Sequence, residues 1–168
     1  MKLETMSKNV VNVMITLARN EMLGRLLLHD VDNPYDLSLP KPDMGELIRP
    51  DSSKAKIFPY PFNPDATEED GSFIRVYYNI GEFNGNEVIA ESELHIDIIV
   101  SKRLWLINNG DESIVRPYDI AGRVIDLVGR NSINSLVKLK FDGFQHLYIN
   151  TQFDCVRLFA KYMSVETK

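Results

Sequence analysis

The 168-residue sequence contains few of the residues that secretory and membrane proteins rely on. Cys155 is the single cysteine, so an intramolecular disulfide is excluded, and its apolar setting in FDCVRLFA predicts a buried structural thiol. No apolar run reaches the roughly 18 residues that a membrane span requires. The N-terminal segment has no small-residue cleavage site and is interpreted as a helix rather than a signal peptide. These absences favour a reducing environment and no association with a membrane.

Motifs for catalysis and metal binding are missing as well. The sequence has no glycine-rich phosphate loop between a strand and a helix, no nucleophile elbow and no paired cysteines. Its three histidines, His29, His95 and His146, are scattered rather than placed at a metal-binding spacing. We therefore predict no catalytic residue, no cofactor and no metal site.

The charge balance narrows the range of partners. A net charge of −5 argues against broad electrostatic binding to nucleic acid or anionic lipid. This negative net charge remains compatible with a protein that DNA moves past without binding. The length predicts one domain over residues 1–168, with a hydrophobic fraction of 44% that is sufficient for a core.

Proline is confined almost entirely to one region, residues 29–71, which holds seven of the eight prolines. Proline fixes φ and removes a backbone donor, so this region is predicted to be a long arm or loop without a regular helix or a central strand. Its segment KIFPYPF contains Ile57, Phe58, Tyr60 and Phe62 and is too apolar for a free linker. The segment packs either on its own core or, as an anchor, on a neighbouring subunit or partner.

The remaining sequence alternates between helical and β patterns. Apolar spacing predicts a helix over residues 8–28, and RPYDIAGRVIDLVGR predicts a second helix that begins near Pro117. SFIRVYYNI and VIAESELHIDIIV flank the turn sequence GEFNGNE and form a long antiparallel hairpin. LVKLKF, a turn at Asp142 and Gly143, FQHLYIN and FDCVRLFAKYM supply closing strands. The predicted fold is α+β, with an antiparallel sheet that has a long β-hairpin, helices packed on one face of the sheet, and the long proline-rich arm.

One face of the hairpin carries a row of polar side chains. Strict alternation from residue 90 to 100 places Glu91, Glu93, His95 and Asp97 opposite an apolar row. Three roles are open: a metal site, a pair of general acid–base groups, or a solvated face. A flat strand cannot converge these ligands on one ion without another strand, and nothing apolar on that face would bury the groups and shift their pKa values. A solvated face is therefore favoured.

A single tryptophan, Trp105, lies in the basic-to-apolar segment KRLWLI. It is a candidate partner contact, and a core position is the alternative.

The succession of an N-terminal helix, a long hairpin, the helix RPYDIAGRVIDLVG and closing strands resembles the tail terminator (tail completion, neck) proteins of long-tailed bacteriophages. The resemblance covers residues 8–28 and 72–165, whereas the arm is longer than in that pattern. It implies a structural virion protein, assembled in the host cytoplasm, that forms a hexameric ring at the head–tail junction. Such a ring ends the tail tube and contacts the tail tube protein and the head-completion or neck proteins.

For this sequence, the resemblance implies that Glu91, Glu93, His95 and Asp97 face a lumen through which DNA passes without specific binding, because carboxylates repel phosphate. It also suggests that the arm segment and Trp105 contact a subunit or partner. The alternatives are another neck, head-completion or baseplate protein, or a small metal- or ligand-binding α+β protein.

Overall fold

The computed structural model describes residues 1–66, 69–86, 88–130 and 137–164. The helices are α1 (Leu3–Ala18), α2 (Glu21–Leu28), α3 (Met44–Ile48) and α4 (Arg116–Ile125). The strands are β1 (Ile57–Phe58), β2 (Ser72–Phe83), β3 (Ile89–Ser101), β4 (Leu106–Asn108), β5 (Ser113–Val115), β6 (Val137–Tyr148) and β7 (Phe153–Ser164).

Five of these strands form one sheet in the order β1-β2-β3-β7-β6, and β4 and β5 form a separate ribbon. The short strand β1 runs parallel to β2, whereas all other neighbours are antiparallel. The four long strands have 12 or 13 residues each, because β-branched and aromatic residues fill them and proline is absent. The predicted α+β fold and its long hairpin, formed by β2 and β3, are confirmed.

The helices cover one face of the sheet and create the main core there. Alternation on β3 directs Leu94, Ile96, Ile98 and Val100 into this core, where each is fully buried. The side chains that meet them from the helices and from β7 are also enclosed: Val13, Leu17, Leu23, Leu27, Ile120, Val124, Val156 and Leu158. The opposite face has no helix on it among the described residues, and we call it the helix-free face.

The N-terminal helical region differs from the prediction, which placed one helix over residues 8–28. Two helices form, and the chain bends between them at Arg19 and Asn20. The Asn20 side chain accepts a hydrogen bond from the Leu23 backbone N–H (2.9 Å), which caps the second helix. The asparagine in the middle of the predicted helix therefore marks the start of the second helix.

The strand β6 corrects a second prediction. No turn forms at Asp142 and Gly143, and the chain continues as one strand with a bulge between Phe141 and Gly143. A β-bulge accommodates an extra residue and bends the strand without ending it. The sheet consequently ends in a single edge strand of 12 residues rather than in two short strands.

The proline-rich arm packs on its own domain. It contains α3, a short helix that the prediction excluded, and β1, a two-residue edge strand, whereas the prediction excluded only a central strand. The fully buried Arg116 guanidinium donates to the backbone carbonyls of Leu104, Leu26, His29 and Val31.

A second buried arginine holds the next part of the arm. Arg25 donates to the carbonyls of Asp36 and Leu39. Together the two arginines replace part of the hydrogen bonding that a proline-rich backbone cannot make for itself.

In the described part of the chain, no helix is both long and apolar enough to cross a membrane.

Candidate functional site: the helix-free face

The polar row of β3 runs along the helix-free face but is solvated at only one end. Glu91 is exposed and Glu93 is partly exposed, whereas His95 and Asp97 are 2% and 4% exposed. The expectation of a continuous solvated row is therefore wrong for His95 and Asp97, which neighbouring strands enclose. Their burial removes them from the predicted lumen-facing residues.

Asp97 lies in a closed ion-pair network. Arg157 on β7 donates to both carboxylate oxygens, at 2.7 Å to Oδ1 and 2.8 Å to Oδ2, and the Tyr77 hydroxyl donates to Oδ2 at 2.8 Å. Burial raises the pKa of the Tyr77 phenol well above its ordinary value, and the hydrogen bond to Asp97 acts in the same direction. The hydrogen bond to Asp97 also raises the pKa of Arg157. This network fixes three adjacent strands to one another and leaves no free carboxylate.

His95 occupies an aromatic slot next to that network. Its ring meets the rings of Tyr77 and Phe159 edge-on, with centroids 5.6 and 5.2 Å apart. Its Nε2 lies 2.7 Å from Glu93 Oε1, and its Nδ1 has no hydrogen-bond partner among the described residues. The contacts are those of a packed histidine held by one carboxylate.

The end of the hairpin remains open and acidic. Glu82, Glu91 and Glu93 line a shallow depression of about 160 Å³ together with Ile80 and Lys161. Within the described residues, no group of three histidine, cysteine, aspartate or glutamate side chains is placed to hold a metal ion. Of the predicted row, Glu91 and Glu93 therefore keep solvent contact, and the structure adds Glu82, which the sequence analysis left out.

The arm segment KIFPYPF surrounds an arginine on the same face. The Arg75 guanidinium lies over the rings of Phe58, Tyr60, Phe62 and Phe73, with Cζ 4.0 to 5.9 Å from their centroids. Burial lowers the pKa of Arg75, and the four ring faces compensate part of the lost hydration. The segment thus docks on its own chain.

This docking revises the predicted interface. Ile57 is only 1% exposed within the core, so it is not available to a partner. Phe62 packs against Phe73 and Phe153, whereas Tyr60 is 49% exposed. Of the four arm residues, Phe58 and Phe62 are half-buried and Tyr60 alone presents much of its surface.

Trp105 lies on the opposite side of the sheet, near the far end of the hairpin. It is half-buried and its ring lies 5.7 Å from that of His146. Both line a depression of about 500 Å³ whose other side chains are Lys102, Arg103, Leu106 and Asp154. The tryptophan is neither a core residue nor a fully exposed one.

The sequence analysis did not identify β6 as an open edge. Phe144 and Tyr148 on this strand are 64% and 70% exposed, and Phe144 contacts Tyr118 of α4. The alternation in FQHLY was visible in the sequence, but a strand's place at the border of a sheet depends on pairing between distant segments.

Comparison with known proteins identifies a family. The YomW family model matches residues 20–162. The chain belongs to the YomW family. YomW is the name of a protein from a Bacillus phage region, which makes this a phage-associated family and is consistent with a phage protein. No curated protein matches the chain. The YomW match includes the arm, the hairpin, α4 and β6, so it covers the whole helix-free face.

Proposed function

We propose that the protein is a structural, non-enzymatic component of a phage particle. In this proposal it forms a ring at the head–tail junction, ends the tail tube and lets the genome pass through its centre. The phage-associated family supports a role in a phage. The observation that carries the specific role is a long sheet with helices on one face and an open acidic hairpin end on the other.

The distribution of charge supports a lumen at the hairpin end. Of the charged side chains that line the depression at the hairpin end, Glu82, Glu91 and Glu93 are acidic and one, Lys161, is basic. Exposed carboxylates at Glu82, Glu91 and Glu93 would repel phosphate, whereas cations there would hold DNA by counterion release. Repetition around a rotation axis would multiply this field. The lumen residues in this proposal are the three glutamates, without His95 and Asp97.

The sheet also has suitable dimensions. Each copy contributes four long strands, and strands in a sheet lie about 4.8 Å apart. Six copies arranged edge to edge would give a closed sheet roughly 37 Å across, before strand tilt widens it. A channel of this width admits a DNA duplex. Helices would then form the outer layer of the ring, and the two ends of the ring would contact the tail tube and the neck proteins.

Location in the particle tests the role. Phage particles that carry a tagged copy of the protein should show it at the junction of head and tail by cryo-electron microscopy. A phage that lacks the gene should produce tails of uncontrolled length that do not join heads. Detection of the tag at the baseplate, or normal joined particles without the gene, would contradict the proposal.

The lumen assignment has a separate test. Replacing Glu82, Glu91 and Glu93 with lysine should slow genome release at least several-fold in those particles that assemble, because the lumen would then attract phosphate. The matched control is the replacement of Glu4 on α1, Glu46 on α3 and the exposed turn residue Asp51 with lysine. Unchanged release kinetics in the lumen variant would remove these glutamates from the channel.

A further inference from the structure

Within the described residues, the sheet has two open edges. On one side, β1 pairs with β2 only at Ile74 and Arg75, so residues 76–83 of β2 have no strand beside them among the described residues. On the other side, β6 is the last strand of the sheet in the part of the chain that the structure describes. Unpaired strand edges present rows of backbone donors and acceptors that readily pair with another chain.

We propose that these two edges pair with each other between copies, so that β6 of one copy binds residues 76–83 of the next. The inference rests on the proposed ring and specifies its subunit contact. Strand directions agree with it: β2 and β7 point one way, and β3 and β6 point the other way. Rotation about an axis along the strands preserves these directions. It therefore places β6 antiparallel to the neighbour's β2, in the arrangement that β2, β3, β7 and β6 already follow within each copy.

The two open edges also lie at the same level of the sheet. Register across the strands defines two rows, Val76–Ile96–Leu158–Phe144 and Tyr78–Leu94–Ala160–Phe141. The open part of β2 is thus level with the part of β6 that runs from Phe144 back to its start. If the next copy is related by a rotation without a shift along the strands, the open part of its β2 therefore lies beside the open part of β6 in the first copy.

Charge is complementary across the proposed contact. The β6 side carries Lys138 and Lys140, with Lys161 behind them on β7; Asp142 is the acidic residue beside them, 3.8 Å from Lys140 and 3.5 Å from Lys161. The β2 side carries Glu82 together with Glu91 on β3. A head-to-tail contact joins the basic edge of one copy to the acidic edge of the next.

Exposed apolar side chains accompany both edges. Phe144 is 64% exposed on β6, and Ile80 and Phe83 are 58% and 60% exposed on β2. Burial of such residues at a subunit contact supplies the hydrophobic contribution that edge pairing alone lacks. The three observations of direction, level and charge identify a second copy of this chain as the partner.

A charge-reversal experiment tests the pairing. One variant carries Lys138→Glu and Lys140→Glu, a second carries Glu82→Lys and Glu91→Lys, and a third carries all four changes. Sedimentation velocity over a range of concentrations measures assembly, and far-UV circular dichroism confirms folding. Each two-site variant should require at least tenfold more protein to assemble than the wild type. The four-site variant should recover assembly, because both edges change sign together.

The matched control is Arg49→Glu with Lys54→Glu, which makes the same change of charge on the exposed arm. It should assemble as the wild type does. If the wild type forms rings and the two-site variants form them equally well, the pairing is wrong while the proposed function stands. A four-site variant as impaired as the two-site ones, or a wild type that remains monomeric at every concentration, also overturns the pairing. The particle location then decides the function separately.

Discussion

Asp97 and Arg157 show how a residue predicted to face a lumen is instead part of the fold. The carboxylate accepts two hydrogen bonds from the guanidinium and one from Tyr77, so its hydrogen-bonding capacity is largely used. A charge in such a site is stable only while its partner is present. The residue therefore contributes to stability rather than to the electrostatic field of a channel.

Replacement of Asp97 with alanine should lower the free energy of unfolding by about 2 to 3 kcal/mol. This value is at the low end for a buried pair because Arg157 keeps 25% of its side chain exposed and water can solvate it. Urea denaturation provides the measurement, with Asp51→Ala on the exposed arm as control. Equal losses in both variants would show that the pair has no special role.

Asp30 provides a prediction about pH. Burial raises the pKa of its carboxyl, and its Oδ1 has no hydrogen-bond partner among the described residues. The folded state then holds the proton more tightly than the unfolded chain, so stability falls as the pH rises above the ordinary value of 3.8 and through the raised pKa. Asp30→Asn removes this titration.

We expect the stability of Asp30→Asn, relative to the wild type, to be greater at pH 7 than at pH 4. Chemical denaturation at the two pH values measures the difference, and Asp51→Asn serves as the exposed control. A relative stability that does not change with pH would contradict the assignment.

The structure changes the interpretation of the arm more than that of any other element. Its aromatic residues surround Arg75, and Phe62 also joins a small second core with Phe73 and Phe153. Residues that pack within one chain contribute to the stability of the monomer, whether or not a partner binds. Residues 57–62 of the arm therefore form a strap on the helix-free face.

Phe62→Ala should lower the free energy of unfolding of the monomer by about 2 to 3 kcal/mol, because it leaves a cavity between two phenylalanine rings. Tyr60→Ala is the matched control within the same segment, and its cost should stay below about 1 kcal/mol because half of the side chain is already exposed. Thermal and urea unfolding of both variants distinguish the two cases. A larger loss for Tyr60→Ala would reverse this description of the strap.

At the scale of the whole molecule, opposite charges at the two open edges make assembly depend on ionic strength. The Debye length falls from about 10 Å at 0.1 M salt to about 3 Å at 1 M. Lysine–glutamate attraction between exposed side chains is therefore screened at high salt. Contacts of Phe144, Ile80 and Phe83 are not screened in this way.

We expect wild-type assemblies to dissociate at a several-fold higher protein concentration in 0.5 M salt than in 0.05 M salt. The Lys138→Glu, Lys140→Glu variant should lose this dependence or reverse it. Sedimentation velocity in the two buffers provides the comparison. Stronger wild-type assembly at high salt would mean that the charges oppose the contact.

Local sequence patterns predicted the structure correctly where the stabilising contacts are between residues close in sequence. The hairpin follows from two β-rich segments around GEFNGNE, and the start of α4 follows from Pro117. The apolar row of β3 enters the core as its alternation predicts. Asn20 was missed because the apolar spacing continues across the break between α1 and α2, and the bulge in β6 was missed because the strand continues through the turn-like residues Asp142 and Gly143.

The sequence by itself determined the α+β class, the hairpin, the sides to which its residues point and the confinement of proline to one arm. Only the tertiary structure decided which polar residues remain exposed to solvent, because burial of His95 and Asp97 depends on Tyr77, Phe159 and Arg157 from other strands. It also decided that the arm folds back on its own chain and that β6 is an edge. Exposure and edge position arise from contacts between residues far apart in the chain, which alternation along one strand does not contain.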